Sequence, residues 1–195
     1  MKTLRQKVVL VRHGETEWAR DGRHTSFTDL PLTPHGRDQA RLLRGPLKDW
    51  RFAKVLCSPL ERARQTCEMT GLAEAMVLDA DLAEWNYGRY EGLKLAEIQA
   101  LDPHWDVFVS GCPGGESPAA VSERVDRVIR GIRAIDGDVA VFSHGHLLRV
   151  FAIRWIGLPV EDGHLFVLDT ATLNILGAYH DSAAIVTWNA KIGGG

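Results

Sequence analysis

Three short apolar runs in this 195-residue chain each stop abruptly at a cluster of polar side chains. The first is KVVLVR at Lys7–Arg12, followed by His13 and Gly14. The second is AKVLC at Ala53–Cys57, followed by Ser58 and Pro59. The third is DVAVF at Asp138–Phe142, followed by Ser143, His144, Gly145 and His146. The runs are rich in β-branched residues and show no polar alternation, so both of their faces must be covered. That predicts buried strands in a sheet with helices on either side.

The segments between them read accordingly. Thr33 and Pro34 are placed to cap and start a helix, with Ala40, Leu43 and Leu47 on one face. Ser58-Pro59 opens another helix over about Leu60–Thr70, AMVLD is a short third strand, and Leu95–Leu101 is a short helix. GGESPAAVSERVDRVIRGIRAI is a long amphipathic helix, with Val121, Val125, Val128 or Ile129, and Ile132 facing inward. LLRVFAIRWIG is a helix closed by Gly157 and Pro159. HLFVLD, ATLNILGAY and SAAIVTWN read as closing strands that add antiparallel pairs. Strands alternating with helices predict an α/β fold of three layers, a mostly parallel central sheet flanked by helices. One domain is expected over 1–195, with a lid-like insertion at about 82–116 and a tail that frays from about 190. The insertion holds Trp85, Tyr87, Tyr90 and Trp105, four of the nine Trp and Tyr residues, which marks it as a side wall. Trp50, Trp155 and Trp188 read as core.

Net charge is −2, from 23 basic against 25 acidic residues, so no global field favours nucleic acid or an anionic membrane surface. Any anion this chain binds must be held by local charge. No run approaches the roughly 18 apolar residues of a membrane span, and VVLV is too short for a signal-peptide core, so the expectation is a cytoplasmic protein with no membrane partner. Cys57, Cys67 and Cys112 lack zinc-type spacing and read as free, buried thiols of a reducing compartment.

In open α/β sheets, ligands bind beyond the carboxyl ends of the strands. The three polar clusters lie at such ends and bring two imidazoles (His13, His144) and two guanidiniums (Arg12, Arg62) toward one point. That composition fits a tetrahedral phosphate. Arginine offers permanent, planar donors, and a neutral imidazole can attack phosphorus to give a phosphohistidine. The leaving alkoxide then needs a proton, for which Glu84 in LAEWNYG is the candidate, with Glu15 and Glu17 as alternatives. His144 and His146 have H-x-H spacing, but no carboxylate or cysteine cluster completes a metal site, and no metal or cofactor is expected. His146 reads as a structural or rim residue.

LVRHGETEW at Leu10–Trp18, SPLERARQT at Ser58–Thr66, AEWNYGRYEG at Ala83–Gly92 and FSHGH at Phe142–His146 resemble, in order, the motifs of the histidine phosphatase superfamily. The resemblance is to the small branch that includes cofactor-dependent phosphoglycerate mutases, and it covers roughly residues 7–180. It implies a phosphoglycerate mutase-like fold and His13 as the phosphorylated nucleophile. Arg12, Arg62 and His144 would line the phosphate pocket. Glu84 would act as proton donor and then as base toward water. It further implies that Thr16 and the Gly145 backbone touch phosphate, and that Arg23, His24, Thr25 and Ser26 touch the rest of the substrate. Trp85 and Tyr87 divide between packing and substrate contact. Mutases carry Asn where this chain has Ala19, and a long basic insertion after the acid motif. Here that region is short, with Lys94 its one Lys or Arg. Water is therefore the expected acceptor and a small phosphorylated metabolite the expected partner, sugar phosphates or bisphosphates leading. GRHTSFTDLPLT, AEWNYGRYEGL and GCPGGES are similar to bacterial acid phosphatases and sedoheptulose-bisphosphatase-type members. The alternatives are a mutase-type phosphotransferase and a catalytically silent phospho-ligand binding module. The oligomeric state stays open, a homodimer among the options.

Overall fold

The computed structural model describes residues 6–193. In chain order the elements are β1 (Val8–Arg12), α1 (Glu17–Asp21), α2 (Pro34–Leu42), α3 (Arg44–Leu47), β2 (Phe52–Cys57) and α4 (Glu61–Thr70). There follow β3 (Met76–Leu78), α5 (Leu95–Leu101), α6 (Val107–Ser110), α7 (Pro118–Arg133), β4 (Asp138–Ser143), α8 (Gly145–Trp155), β5 (Leu173–Tyr179) and β6 (Ser182–Ala190). The strands form one sheet in the order β3-β2-β4-β1-β5-β6. β3, β2, β4 and β1 run parallel, β5 pairs antiparallel with β1, and β6 pairs antiparallel with β5 at the edge.

The pleat of β1 shows why its apolar run is unbroken. Val8 and Leu10 point into one core with Val121, Val125, Leu147 and Trp155, whereas Val9 and Val11 point into a second with Leu43, Leu47, Ala63 and Cys67. Helices α7 and α8 cover the first face, and α2, α3 and α4 cover the other. Burying both faces of the central strands is what makes them read as continuous hydrophobic runs. Thr33 caps α2 through Gly36 N–H (3.0 Å), with Pro34 in its first turn, as expected. Cys57, Cys67 and Cys112 are free and buried.

Four details depart from expectation. The helix after Thr33 breaks between α2 and α3, because Pro46 lacks an N–H and its ring conflicts with the carbonyl of Leu42. HLFVLD is not a strand. Val160–Leu165 is a 3-10 turn, and Phe166–Thr172 wraps the end of β1, because β5 already occupies the β1 edge. Leu165 and Val167 face solvent, so the apolar run there marks no buried strand. Ala190 pairs with Leu173 and Ile192 packs on the second core, so order extends past the point where fraying was expected, and residues 194–195 lie outside the described residues. Last, Trp50 and Trp188 are only partly buried; Trp155 is core.

Candidate active site

Strands β1, β2 and β4 end side by side, with Arg12 paired to Ser143 and the His13 N–H bonded to the Ser143 carbonyl (3.0 Å). Gly14 follows because a Cβ there would strike the Gly36 carbonyl, and a Cβ on Gly36 would strike the carbonyl of Glu15. The two glycines lie back to back, so the loop after β1 packs flat on the start of α2. The Gly14 N–H is also tied to Thr66 Oγ1 on α4 (3.0 Å).

The hydrogen bonds fix both imidazole tautomers. His13 Nδ1 lies 2.7 Å from the Gly14 carbonyl, which can only accept, so Nδ1 carries the proton and Nε2 a free lone pair. Burial first, and then Arg62 and Arg12, hold the His13 pKa well below the usual histidine value. The nucleophilic form is thus the resting form. His144, its ring centroid 5.2 Å from that of His13, accepts from Arg62 Nε at Nδ1 (3.2 Å) and donates from Nε2 to Ser58 Oγ (2.7 Å). Burial and the Arg62 charge likewise hold it neutral. Both of its ring nitrogens are committed, and His146 Nδ1 is bonded to the Tyr87 hydroxyl, so the H-x-H pair is not arranged as a chelate.

Arg62 is fully buried behind His13. Its Nη atoms donate to the carbonyls of Thr25 (3.2 Å), Ser26 (3.0 Å) and Thr28 (3.3 Å), and Asp29 stands 4.0 Å away. Glu91 aims those carbonyls, since its carboxylate takes the N–H groups of Ser26 and Thr28 and the Ser26 hydroxyl. Arg12 donates to the Leu168 carbonyl, and its buried Nε has no partner. Gly145 lets the start of α8 approach that guanidinium, because a Cβ there would lie 3.3 Å from Arg12 Cζ.

Glu84 is buried, yet it lines the same cavity. Its carboxylate accepts from the N–H groups of Trp85 (2.9 Å), Leu147 (2.9 Å) and His146 (3.1 Å), the last two at the N-terminus of α8, where a helix presents unpaired donors. The loop bearing Glu84 is clamped from α7. Arg124 donates to the carbonyls of Asp81 (2.8 Å), Ala83 (2.7 Å) and Glu84 (3.2 Å) and pairs with Glu116 (2.7 Å). Glu116 in turn accepts from the N–H of Asn86 (2.8 Å).

The resulting cavity is about 190 Å³, with Arg12, His13, Glu84, Arg23, Tyr87 and His146 among its walls. His24, Thr25 and Gly145 also line it. Other expected contacts face elsewhere. Thr16 is fully buried and off the cavity wall, its hydroxyl oxygen accepting from Ala19 N–H to cap α1 (3.1 Å), and the Ser26 hydroxyl donates to Glu91. Trp85 is fully buried and donates to the Glu116 carbonyl (3.0 Å), so it backs Glu84 rather than facing the cavity. Arg62 and His144 form a layer behind His13, in reach of it but outside the open wall. Arg149 was not foreseen. It lies on α8 one turn past Gly145 and lines the cavity. The i, i+4 spacing from Gly145 was the available signal. The Arg124–Glu116 clamp was also missed, because nothing in a helix pattern distinguishes an inward arginine from a solvated one.

An unprotonated imidazole beside the Arg12 guanidinium, with Arg62 behind it and a carboxyl group in the same cavity, is an arrangement suited to handling a phosphate. The family model for the histidine phosphatase superfamily (branch 1) matches residues 8–191, and the chain belongs to that family. It is 39% identical over 184 residues to an acid phosphatase of Mycobacterium tuberculosis, covering 92% of this chain and 90% of the relative. It is 35% identical over 193 residues to the sedoheptulose 1,7-bisphosphatase of Saccharomyces cerevisiae, covering 83% and 71%. Among solved structures, that of an open reading frame of Mycobacterium tuberculosis superposes with a TM-score of 0.93 at 37% identity, over 96% of this chain and 98% of the other. No helix among the described residues is long and apolar enough to cross a membrane.

Proposed function

We propose that this protein hydrolyses phosphate monoesters of small alcohols, sugar phosphates foremost, through a phosphohistidine on His13. The observation that carries this reading is the His13 ring itself, locked at Nδ1 by the Gly14 carbonyl and bare at Nε2 beside Arg12 in a cavity that also holds Glu84. The ester phosphate sits against Arg12, with Arg62 supplying positive potential from behind. His13 Nε2 attacks phosphorus, the P–O bond to the alcohol breaks, and Glu84 gives its proton to the departing oxygen. Water then attacks the phosphohistidine, Glu84 takes the water's proton, and phosphate leaves with His13 neutral again. The protein's own cations offset the charge spread over the equatorial oxygens. The acid phosphatase and bisphosphatase relatives support the ester class.

Acid quench during turnover of a labelled phosphomonoester tests this. An acid-labile, base-stable phosphoprotein that disappears in His13→Ala is expected, as is turnover that survives EDTA. Turnover without a phosphoprotein, or loss of activity on chelation with recovery on adding zinc or magnesium, overturns it. A phosphate acceptor other than water, used tenfold faster, would make the enzyme a phosphotransferase.

A further inference from the structure

Arg12 lies beside the nucleophilic ring, yet few groups of the protein hold its charge in place. Among the described residues no carboxylate pairs with it, its buried Nε has no partner, and the Leu168 carbonyl is its one hydrogen-bond acceptor. The Gly145 backbone lies against one side of the guanidinium, and the Leu168 carbonyl sets the direction of its N–H fork. The Leu168 side chain packs in the first core, so the residue itself is fixed. What remains to be set is the rotation of the peptide between Leu168 and Asp169.

That rotation is decided from the far edge of the sheet. Between the pairs Leu173–Ala190 and Ile175–Thr187 the register advances two residues in β5 and three in β6, so β6 carries a bulge. Asn189, in the bulge, has φ +54°, a left-handed backbone that asparagine tolerates better than most residues. Its N–H donates to Asn174 Oδ1 (2.6 Å), and the fully buried Asn174 is tied in turn to the Leu10 carbonyl of β1 (3.1 Å). Two side chains of the bulge reach the loop that crosses the end of β1. Asn189 Oδ1 accepts from the Asp169 N–H (2.8 Å), and Trp188 Nε1 donates to the Val167 carbonyl (2.7 Å). These contacts bracket Leu168. The Asp169 N–H and the Leu168 C=O belong to one planar trans peptide and point in opposite directions, so holding the first toward Asn189 aims the second at Arg12. Beyond them the Ala171 N–H covers the carbonyls of Arg12 (3.1 Å) and His13 (3.3 Å), with Ala171 at φ +51°, a conformation that alanine keeps only where its surroundings impose it.

We infer that Asn189, with Trp188 beside it, is a positioning residue for Arg12. It acts through the Leu168–Asp169 peptide plane and fixes the direction in which the guanidinium meets the phosphate. This rests on the reading of Arg12 as a cation that holds the transferred phosphate. A determinant of anion affinity therefore sits on the last strand, two strands away from β1 and outside the four motifs that carry the chemistry.

Calorimetric titration of the full chain with inorganic phosphate tests this without turnover. Asn189→Gly keeps the left-handed backbone and removes only the side chain. It should weaken phosphate binding about 5- to 20-fold, the range open to one misaimed charge-assisted bond. In an Arg12→Ala background nothing is left to aim, so the same substitution should change the phosphate Kd by less than about twofold. Asn189→Asp keeps an acceptor for the Asp169 N–H and should restore part of the affinity. Trp188→Phe keeps a ring against Phe166 and loses the N–H, and should weaken phosphate by about two- to fourfold. An Asn189→Gly protein within about twofold of the native Kd, or an equal loss in both backgrounds as a general loosening of the fold would give, overturns the inference. If Arg12→Ala itself leaves phosphate binding unchanged, the phosphate site is refuted and this inference with it. Phosphate binding that depends on Arg12 and Asn189, without any phosphohistidine during turnover, refutes the catalytic reading alone.

Discussion

Replacing Glu84 with Gln separates the two halves of the proposed reaction. In the native protein one carboxylate oxygen takes the N–H groups of Trp85 and Leu147, and the other takes that of His146. A glutamine oxygen can keep the first pair, but its NH2 then meets the His146 N–H donor to donor. One charge-assisted bond is lost, at about 1–3 kcal/mol, which a folded domain tolerates. The catalytic cost is larger and depends on the alcohol. Acid catalysis is worth about 10²–10⁴-fold, or about 3–5.5 kcal/mol of barrier, when the leaving oxygen needs a proton. Stopped-flow turnover should show this loss in the first step on a sugar phosphate. With p-nitrophenyl phosphate, whose leaving group hardly needs a proton, the first turnover should stay near the native rate. Glu84 is also the base for water, so the variant should then stall and release p-nitrophenol in a burst equal to the enzyme present. A first-turnover loss of the same size on both esters would refute the assignment and move the acid to another group.

Arg124→Met should leave Glu116 Oε1 and three carbonyls without a donor, with Oε2 keeping only the Asn86 N–H. Loss of a buried pair's partner costs about 3–5 kcal/mol, or about 6–20 °C in melting temperature for a chain of this size; a drop of only a degree or two in calorimetry would show the clamp to be incidental. Gly36→Ala forces a Cβ into the Glu15 backbone, so it should lower both the melting temperature and phosphohistidine formation. Unchanged labelling by an acid-quench assay would mean that the loop after β1 can shift freely. Stability should also fall as the solution is acidified below about pH 6.5. Burial, aided by the arginines, holds His13 and His144 neutral in the native state, while the unfolded chain takes up protons there. Each ring contributes up to about 1.4 kcal/mol per pH unit until its own lowered pKa is reached. Urea midpoints between pH 7.5 and 5.5 measure this, and a flat profile would mean that the native rings titrate as they do in the unfolded chain.

The layers of the fold were legible because their cause is local. β1 and the body of β4 are unbroken apolar runs, as strands buried on both faces must be, and β2 shares the pattern in its buried half, Val55–Cys57. The 3.6-residue spacing of Val121, Val125, Val128 and Ile132 likewise announces the inward face of α7. HLFVLD misled because a short continuous apolar run is what a buried strand shows, whereas pairing depends on whether a sheet edge is vacant, and β5 had filled it. At the site, His13, Arg12 and Glu84 were legible as chemistry, since few folds end buried strands in a cation and an imidazole without use for them.

What the sequence determined by itself was the set of chemical groups and the strand ends that present them. The tertiary structure decided how each group's hydrogen bonds are spent. Thr16 and Ser26 carry hydroxyls suited to a phosphate, yet Thr16 is buried away from the cavity and the Ser26 hydroxyl proton goes to Glu91. Arg149 reads as an ordinary helical arginine, yet packing on Phe108 and Gly163 leaves its fork open to the cavity. A donor is available to a ligand only if no protein acceptor reaches it first. Those acceptors come from segments far away in the chain, so their positions exist only once the fold has formed.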